Sequence, residues 1–244
     1  MNDFCYDDRT LNFGFWDLEF VWDLDFGIWV FQFGIWILGF RRPSFRAILL
    51  TAMPFYIPII VGSTRRDRQS IKVARFVLSR LQQRKNAETE LLDLLEYNFP
   101  IMEERLHRRD DPPPRLQEYA DKIARGDSLI IVTPEYNNGY PGVLKNALDY
   151  LLPEYERKPI GIVTVSAGGY GGITCLAQLR LVTIGMGAFP IPENLAVSRV
   201  HDSFKEDGTP NDPAYEKRAA AFLDEVLWFA EAISDRKAKE KAAS

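Results

Sequence analysis

Three short stretches of this chain carry residue types that could hold a ligand. The first is Gly62-Ser63-Thr64-Arg65-Arg66-Asp67-Arg68-Gln69-Ser70. The hydroxyls of Ser63, Thr64 and Ser70, the guanidinium groups of Arg65 and Arg68, and the neighbouring Gln69 form a donor set suited to a phosphate. The stretch lacks the Gly-Lys-Ser/Thr ending of a magnesium-nucleotide loop and the Gly-x-Gly-x-x-Gly of a dinucleotide fingerprint. The second is Pro134-Glu135-Tyr136-Asn137-Asn138-Gly139-Tyr140-Pro141. Its Asn-Asn-Gly turn tolerates positive φ, and its amides, backbone N–H groups and two tyrosines suit a flat, polar-edged ring such as a flavin. The third is Ser166-Ala167-Gly168-Gly169-Tyr170-Gly171-Gly172, where closely spaced glycines let a ligand approach the backbone. Each has a plainer explanation: helix capping by Ser or Thr in the first, turn geometry in the others.

The elements around them weigh against those explanations. Ile57 to Val61 reads as a buried strand, and Ile71, Val73, Ala74, Val77, Leu78 and Leu81 follow the first loop at helical spacing. A phosphate at that helix start would meet free N–H groups and a partial positive charge. Leu91 to Leu95 is a second short strand. A proline-rich loop from Asn98 to Pro114 leads to an amphipathic helix through Leu116, Tyr119, Ile123 and Ala124, stopped by Gly126. Leu129 to Val132 is a third strand, and a helix starts near Pro141. Ile160 to Val165 and Leu195 to Val197 are the fourth and fifth strands, and Tyr215 to Ile233 is a closing amphipathic helix with a polar, frayed tail from Arg236 to Ser244. Alternating strands and helices imply an α/β doubly wound, flavodoxin-like parallel sheet of five strands in the order 2-1-3-4-5. The three loops then leave strands one, three and four. Those strands are neighbours, and their carboxyl ends surround the point where strand order reverses and ligands bind.

The 244 residues allow one sizeable domain, and the net charge of −4 offers no basic field for nucleic acid. Two cysteines, Cys5 and Cys175, give no disulfide framework and fit a reducing cytoplasmic setting. The two histidines, His107 and His201, stand in polar loops with no partner at ligand spacing, so no metal site is expected.

Residues 1–52 differ from the rest. Four of the five tryptophans lie here, within a seven-residue repeat from Val21 to Arg41. Nearly every repeat position is apolar, against a coiled coil, and Asp3, Asp7 and Asp8 argue against a secretory signal. The uncharged run 26–40 is shorter than the ~20 residues of a spanning helix, so no membrane anchor is expected. The segment reads as a translated leader outside the functional fold, which occupies 53–244 with translation starting naturally at Met53.

Taken together, the three loops resemble the NADPH-dependent FMN reductase family over about Met53 to Ile233. The matching blocks are Gly62-Ser63-Thr64-Arg65 with Arg68 and Ser70, then Pro134-Glu135-Tyr136-Asn137 with Gly139-Tyr140-Pro141 and Leu144 to Asp149, and then Ser166 to Gly172 with Gln178-Leu179-Arg180 and Gly187-Ala188. The resemblance implies an FMN oxidoreductase, homodimeric or homotetrameric. It would take hydride from NAD(P)H and pass electrons to a small acceptor such as a quinone, free flavin, azo dye or oxidised metal. The implied cofactor residues are Ser63, Thr64, Arg65, Arg68, Gln69 and Ser70 at the phosphate, and Pro134, Glu135, Tyr136, Asn137, Asn138 and Gly139 at the ring. Ser166, Ala167, Gly168, Gly169 and Gly171 form its second loop. Tyr136 or Tyr140 could stack on a substrate, and Glu135 is expected to hydrogen-bond backbone rather than donate a proton. Hydride transfer needs no general acid, and no catalytic side chain is assigned. The competing classes are a flavodoxin-like electron carrier and a redox-sensing interaction protein.

Overall fold

A computed structural model describes residues 53–243. The tandem repeat and leader expected over 1–52 lie outside the described residues. In chain order the elements are β1 (Phe55–Tyr56), β2 (Ile59–Val61), α1 (Ser70–Gln82), β3 (Ala87–Glu88), β4 (Leu91–Asp93), α2 (Leu94–Tyr97), α3 (Leu116–Arg125), β5 (Leu129–Pro134) and α4 (Gly142–Asp149). They continue with β6 (Pro159–Val165), α5 (Ile173–Gly185), β7 (Phe189–Val197), α6 (Val200–Ser203) and α7 (Ala214–Ala243). Single 3₁₀ turns occur at Leu106–Arg108 and Pro153–Tyr155.

The larger sheet has five parallel strands in the order β4-β2-β5-β6-β7. Counted along the chain, these five run second, first, third, fourth, fifth. A separate parallel pair, β1 with β3, raises the described strand total above the five expected. The strand foreseen over 57–61 is split because Pro58 has no N–H to give a ladder. Leu94 and Leu95 belong to α2, not to a strand: the Asp93 carboxylate accepts the Leu95 N–H at 3.0 Å and caps a helix there. β7 begins six residues earlier than foreseen and carries Pro190 and Pro192, tolerated because it is an edge strand. The tail from Arg236, expected to fray, continues α7 to Ala243, with an Arg236–Glu240 pair one turn apart.

Strands β2, β5 and β6 are buried along their whole length, as a sheet covered on both faces requires. One core joins the sheet to α1 and α7 through Val73, Val77, Phe222 and Val226; the other joins it to α3, α4 and α5 through Tyr119, Leu144, Leu148 and Leu179. Gly161 on β6 permits the closest approach to the first layer. A Cβ there would stand 2.7 Å from Phe222 Cζ and 2.9 Å from Val226 Cγ2 on α7.

Candidate functional site

The strand exits are tied to their neighbours before the loops diverge. Gly62 donates to the Val132 carbonyl at 2.8 Å, Glu135 to Val165 at 2.9 Å and Ser166 to Val197 at 2.9 Å. The loops after β2, β5 and β6 therefore leave one end of the sheet at fixed positions. Between them lies a cavity of about 360 Å³. Its walls are Arg65 to Ser70 from the first loop, Pro134, Glu135 and Tyr136 from the second, Ser166 and Ala167 from the third, and Val200 and His201 from a fourth.

At the start of α1, Gln69 occupies the cap position and no side chain caps the helix. The capping explanation of Ser63 and Thr64 therefore fails; the Lys72 N–H donates to the Gln69 carbonyl at 3.1 Å, and those of Ser70 and Ile71 are left for a ligand. Ser70 Oγ and Gln69 Oε1 are buried without a hydrogen-bond partner, and both residues line the cavity. Buried polar atoms normally have partners, so these two mark a place where one is expected. Arg65 and Arg66 are exposed at the rim.

Arg68, expected at the phosphate, lines the cavity and also holds the loop. It donates to Asp93 Oδ1 at 2.6 Å, to Asp93 Oδ2 and to the Ser63 carbonyl at 2.6 Å, with both side chains largely buried. Its charge is committed to the end of β4, and it shapes the phosphate loop from beneath.

The second loop is a tight turn in which Tyr136 and Gly139 exchange backbone hydrogen bonds at 2.8 and 3.0 Å. Asn137 and Asn138 take φ of 50° and 65°, the left-handed values anticipated for this turn. The Asn138 carbonyl accepts from Gln178 Nε2 at 2.9 Å, which fastens the turn to α5. Tyr136 points the other way: its hydroxyl lies 2.9 Å from Ser63 Oγ, and the Arg65 guanidinium carbon is 5.8 Å from its ring centre. A ring so engaged belongs to the cavity wall. Glu135 Oε2 accepts the Cys175 N–H at 2.9 Å, so its carboxylate caps the first turn of α5. Burial, with the Glu135 charge nearby, pushes the Cys175 thiol up to about 12, and Cys175 is a closed core residue.

The third loop is pinned at two points. Gly168 O accepts from Arg199 N at 2.9 Å and from Ser166 Oγ at 3.0 Å, and Gly171 O accepts from Thr164 Oγ1 at 2.6 Å. Gly171, at φ 66°, sits where a Cβ would meet Ala196 at 3.0 Å, so packing requires glycine there. Gly168 and Gly169 face open space, and their N–H groups, like that of Asn137, make no hydrogen bond among the described residues. A cradle of this kind admits a ligand edge against bare backbone.

Val200 and His201 were missed in the sequence. They follow the fifth strand, whose exit lies at the same end of the sheet, and Arg199 at φ 46° turns the chain back toward the cavity. The signal was topological: in an open parallel sheet every carboxyl-end loop is a candidate wall.

A family model described as NADPH-dependent FMN reductase matches residues 56–202, more than half of the chain and all of the loops just described. The chain belongs to this family. Its class is thereby that of FMN-dependent oxidoreductases drawing on NAD(P)H. An NAD(P)H-dependent FMN reductase of Schizosaccharomyces pombe is 36% identical over 134 residues, 52% of this chain, and the match spans 64% of that relative's length. An FMN-dependent NADPH-azoreductase of Staphylococcus aureus is 29% identical over 179 residues, 70% of this chain and 93% of the relative. Among solved structures, the flavoenzyme NAD(P)H:(acceptor) oxidoreductase of Paracoccus denitrificans superposes with a TM-score of 0.58 at 26% identity, covering 74% of this chain and 98% of its own. The donor set fits FMN: uncapped N–H groups and an orphaned hydroxyl for a phosphate, and bare turn backbone for the edge of a ring.

Proposed function

We propose that residues 53–244 form an NAD(P)H-dependent FMN oxidoreductase that serves a quinone, flavin or similar small acceptor by a ping-pong mechanism. The observation that carries this reading is the convergence of the loops after β2, β5 and β6 on one cavity at the carboxyl ends of the strands. The family match to residues 56–202 lies inside this span and supports residues 1–52 as standing outside the functional fold.

Bound FMN would supply the hydride-accepting and hydride-donating ring; the chain supplies binding, orientation and electrostatics. Ser63, Ser70, Arg65 and the start of α1 hold the phosphate. Arg68 acts indirectly, fixing the Ser63 carbonyl through its fork to Asp93. The N–H groups of Asn137, Gly168 and Gly169, without partners among the described residues, would be donors for the edge of the ring and would favour negative charge there. Glu135 keeps α5 in place and moves no proton. Nicotinamide and acceptor would occupy the same site in turn, and initial-velocity lines should be parallel.

A homodimer fits the surface. Helix α5 presents Ile173, Leu181 and Ile184 to solvent, each more than half exposed, although its inner face is already buried in the core. A helix apolar on both sides is usually covered on both. With no helix among the described residues long and apolar enough to cross a membrane, and a charge balance that disfavours nucleic acid, the cover is a second copy in a cytoplasmic enzyme.

The test is anaerobic mixing of FMN-loaded protein with NADPH, following the visible flavin band. Rapid bleaching is expected. Bound flavin that stays yellow would indicate an electron carrier or redox sensor, and failure to bind FMN would remove the reading altogether.

A further inference from the structure

His201 stands in the wall of the cavity, and its place is fixed from two sides. The Arg199 and Val200 N–H groups donate to the Gly168 and Ser166 carbonyls at 2.9 and 3.1 Å, which pins the start of α6 to the third loop. Val200 is buried in the core layer that contains α1, and Phe204 packs edge-on against Phe76 of α1 with ring centres 5.3 Å apart. Short α6 is thereby wedged between the third loop and the helix that the first loop opens. The His201 imidazole is exposed and makes no hydrogen bond or ion pair among the described residues.

The charges around it leave room for a cation. In the first loop Arg68 is committed to Asp93, while Arg65 and Arg66 form no ion pair and Asp67 opposes one of them. The loop therefore offers a single net positive charge. Lys72, farther along α1, is paired with Glu206 at 2.6 Å. From the second loop, Glu135 is turned to the Cys175 N–H and the Tyr136 hydroxyl to Ser63. The third loop adds only Ser166 and Ala167 to the wall, and the turn around His201 carries Arg199 and Asp202, of opposite sign. From α7, Tyr215 packs against Phe204. A phosphate monoester carries about two negative charges near neutrality, so one of them is left without a partner.

We propose that His201 is a cofactor-binding residue, whose imidazolium pairs with the phosphate of FMN and supplies the cation that the first loop lacks. The inference rests on the FMN reading above. Histidine is the side chain whose charge changes between about pH 5 and 8. The imidazole takes up a proton as the phosphate binds, so FMN is held more tightly in mildly acidic solution and more loosely as pH rises through the imidazole range. An arginine in the same place would show no such dependence.

The test is FMN titration of the full-length apoprotein by fluorescence quenching, from about pH 8.5 to about pH 6.5, a window above the second ionisation of the phosphate. For the wild type the dissociation constant should fall roughly three- to tenfold across it, the upper range of a solvent-exposed ion pair. His201→Gln should bind as the wild type does at the alkaline end and show no such gain, and His201→Arg should bind tightly throughout. Riboflavin, which lacks the phosphate, should show no pH dependence with any of the three. Proton NMR gives a readout independent of affinity. The chain has two histidines, and the imidazole signal lost in His201→Gln belongs to His201. Its titration midpoint should rise when FMN is bound, whereas that of His107, which pairs with Glu154 at 2.5 Å, should not. A flat wild-type profile, a His201→Gln protein that keeps the wild-type profile, or riboflavin that reproduces it overturns the proposal and leaves the FMN reading standing. Failure of FMN to bind at any pH removes both.

Discussion

The hydroxyls of Ser63 and Tyr136 lie 2.9 Å apart and join the phosphate loop to the ring loop across 73 residues of sequence. In the proposed FMN site the two loops should therefore act as one unit. Tyr136→Phe and Ser63→Ala should each weaken FMN affinity about three- to tenfold, the range of a neutral hydrogen bond. The double variant should cost less than the sum, because each single change removes the same contact. Quenching of FMN fluorescence on titration measures this; strictly additive losses would mean that the bond does not couple the loops.

Arg68 and Asp93 make a largely buried pair whose loss leaves a charge without a partner. Arg68→Ala should lower unfolding free energy by about 3–5 kcal/mol, whereas replacing both by well-packed apolar residues should cost much less. Urea denaturation of the apoprotein distinguishes the two outcomes. A small loss in the single variant would mean that the pair is solvated.

Two groups of glycines should separate stability from binding. Gly161→Ala forces a methyl against Phe222 and Val226 and should cost roughly 1–3 kcal/mol by overpacking. Gly168→Ala and Gly169→Ala meet no atom within 4 Å and should leave stability within about 0.5 kcal/mol. They should nevertheless weaken FMN binding, because the methyl would stand where the ring is proposed to approach the backbone. Thermal melts paired with FMN titration test both halves, and unimpaired FMN binding would place the ring elsewhere.

Acid stability should depend on Glu118. Hydrogen bonds from Arg115 and then Lys122 hold its carboxyl down at about 2, below the ordinary carboxylate range. A depressed carboxylate contributes stability above its unfolded pKa and loses it as pH falls through the folded value. The contribution should therefore be present above about pH 4.5 and fade toward pH 2. Glu118→Gln should make the acid limb of a stability–pH curve shallower in that window. An identical slope would assign acid sensitivity to other carboxylates.

The exposed side of α5 should set the oligomeric state. Leu181→Glu with Ile184→Glu places like charges on a face proposed to meet its own copy, and should yield a monomer in sedimentation velocity with the far-ultraviolet circular dichroism retained. A wild type that already sediments as a monomer would refute the interface.

Much of this architecture was legible because parallel strands buried on both faces announce themselves as apolar runs. Leu129–Val132 and Ile160–Val165 were read correctly for that reason, and the Asn-Asn-Gly turn was legible from its tolerance of positive φ. Three-residue β4 was readable only in part, since Leu94 and Leu95 look identical in a strand or a helix until Asp93 caps the turn. The Arg68–Asp93 pair was illegible for a different reason. Nothing in an arginine two residues before a serine tells that an aspartate 25 residues later lies beneath it. His201 escaped because its place depends on the left-handed turn at Arg199, a conformation arginine seldom signals.

The Arg68 fork also bears on how the protein acquires its flavin. The loop proposed to hold the phosphate is braced by groups of the chain itself, Arg68, Asp93 and the Ser63 carbonyl, so flavin binding should need no refolding of it. Loading is then an encounter between two finished surfaces, without a folding step to delay it. Occupancy would then follow free FMN by mass action wherever its concentration lies near Kd.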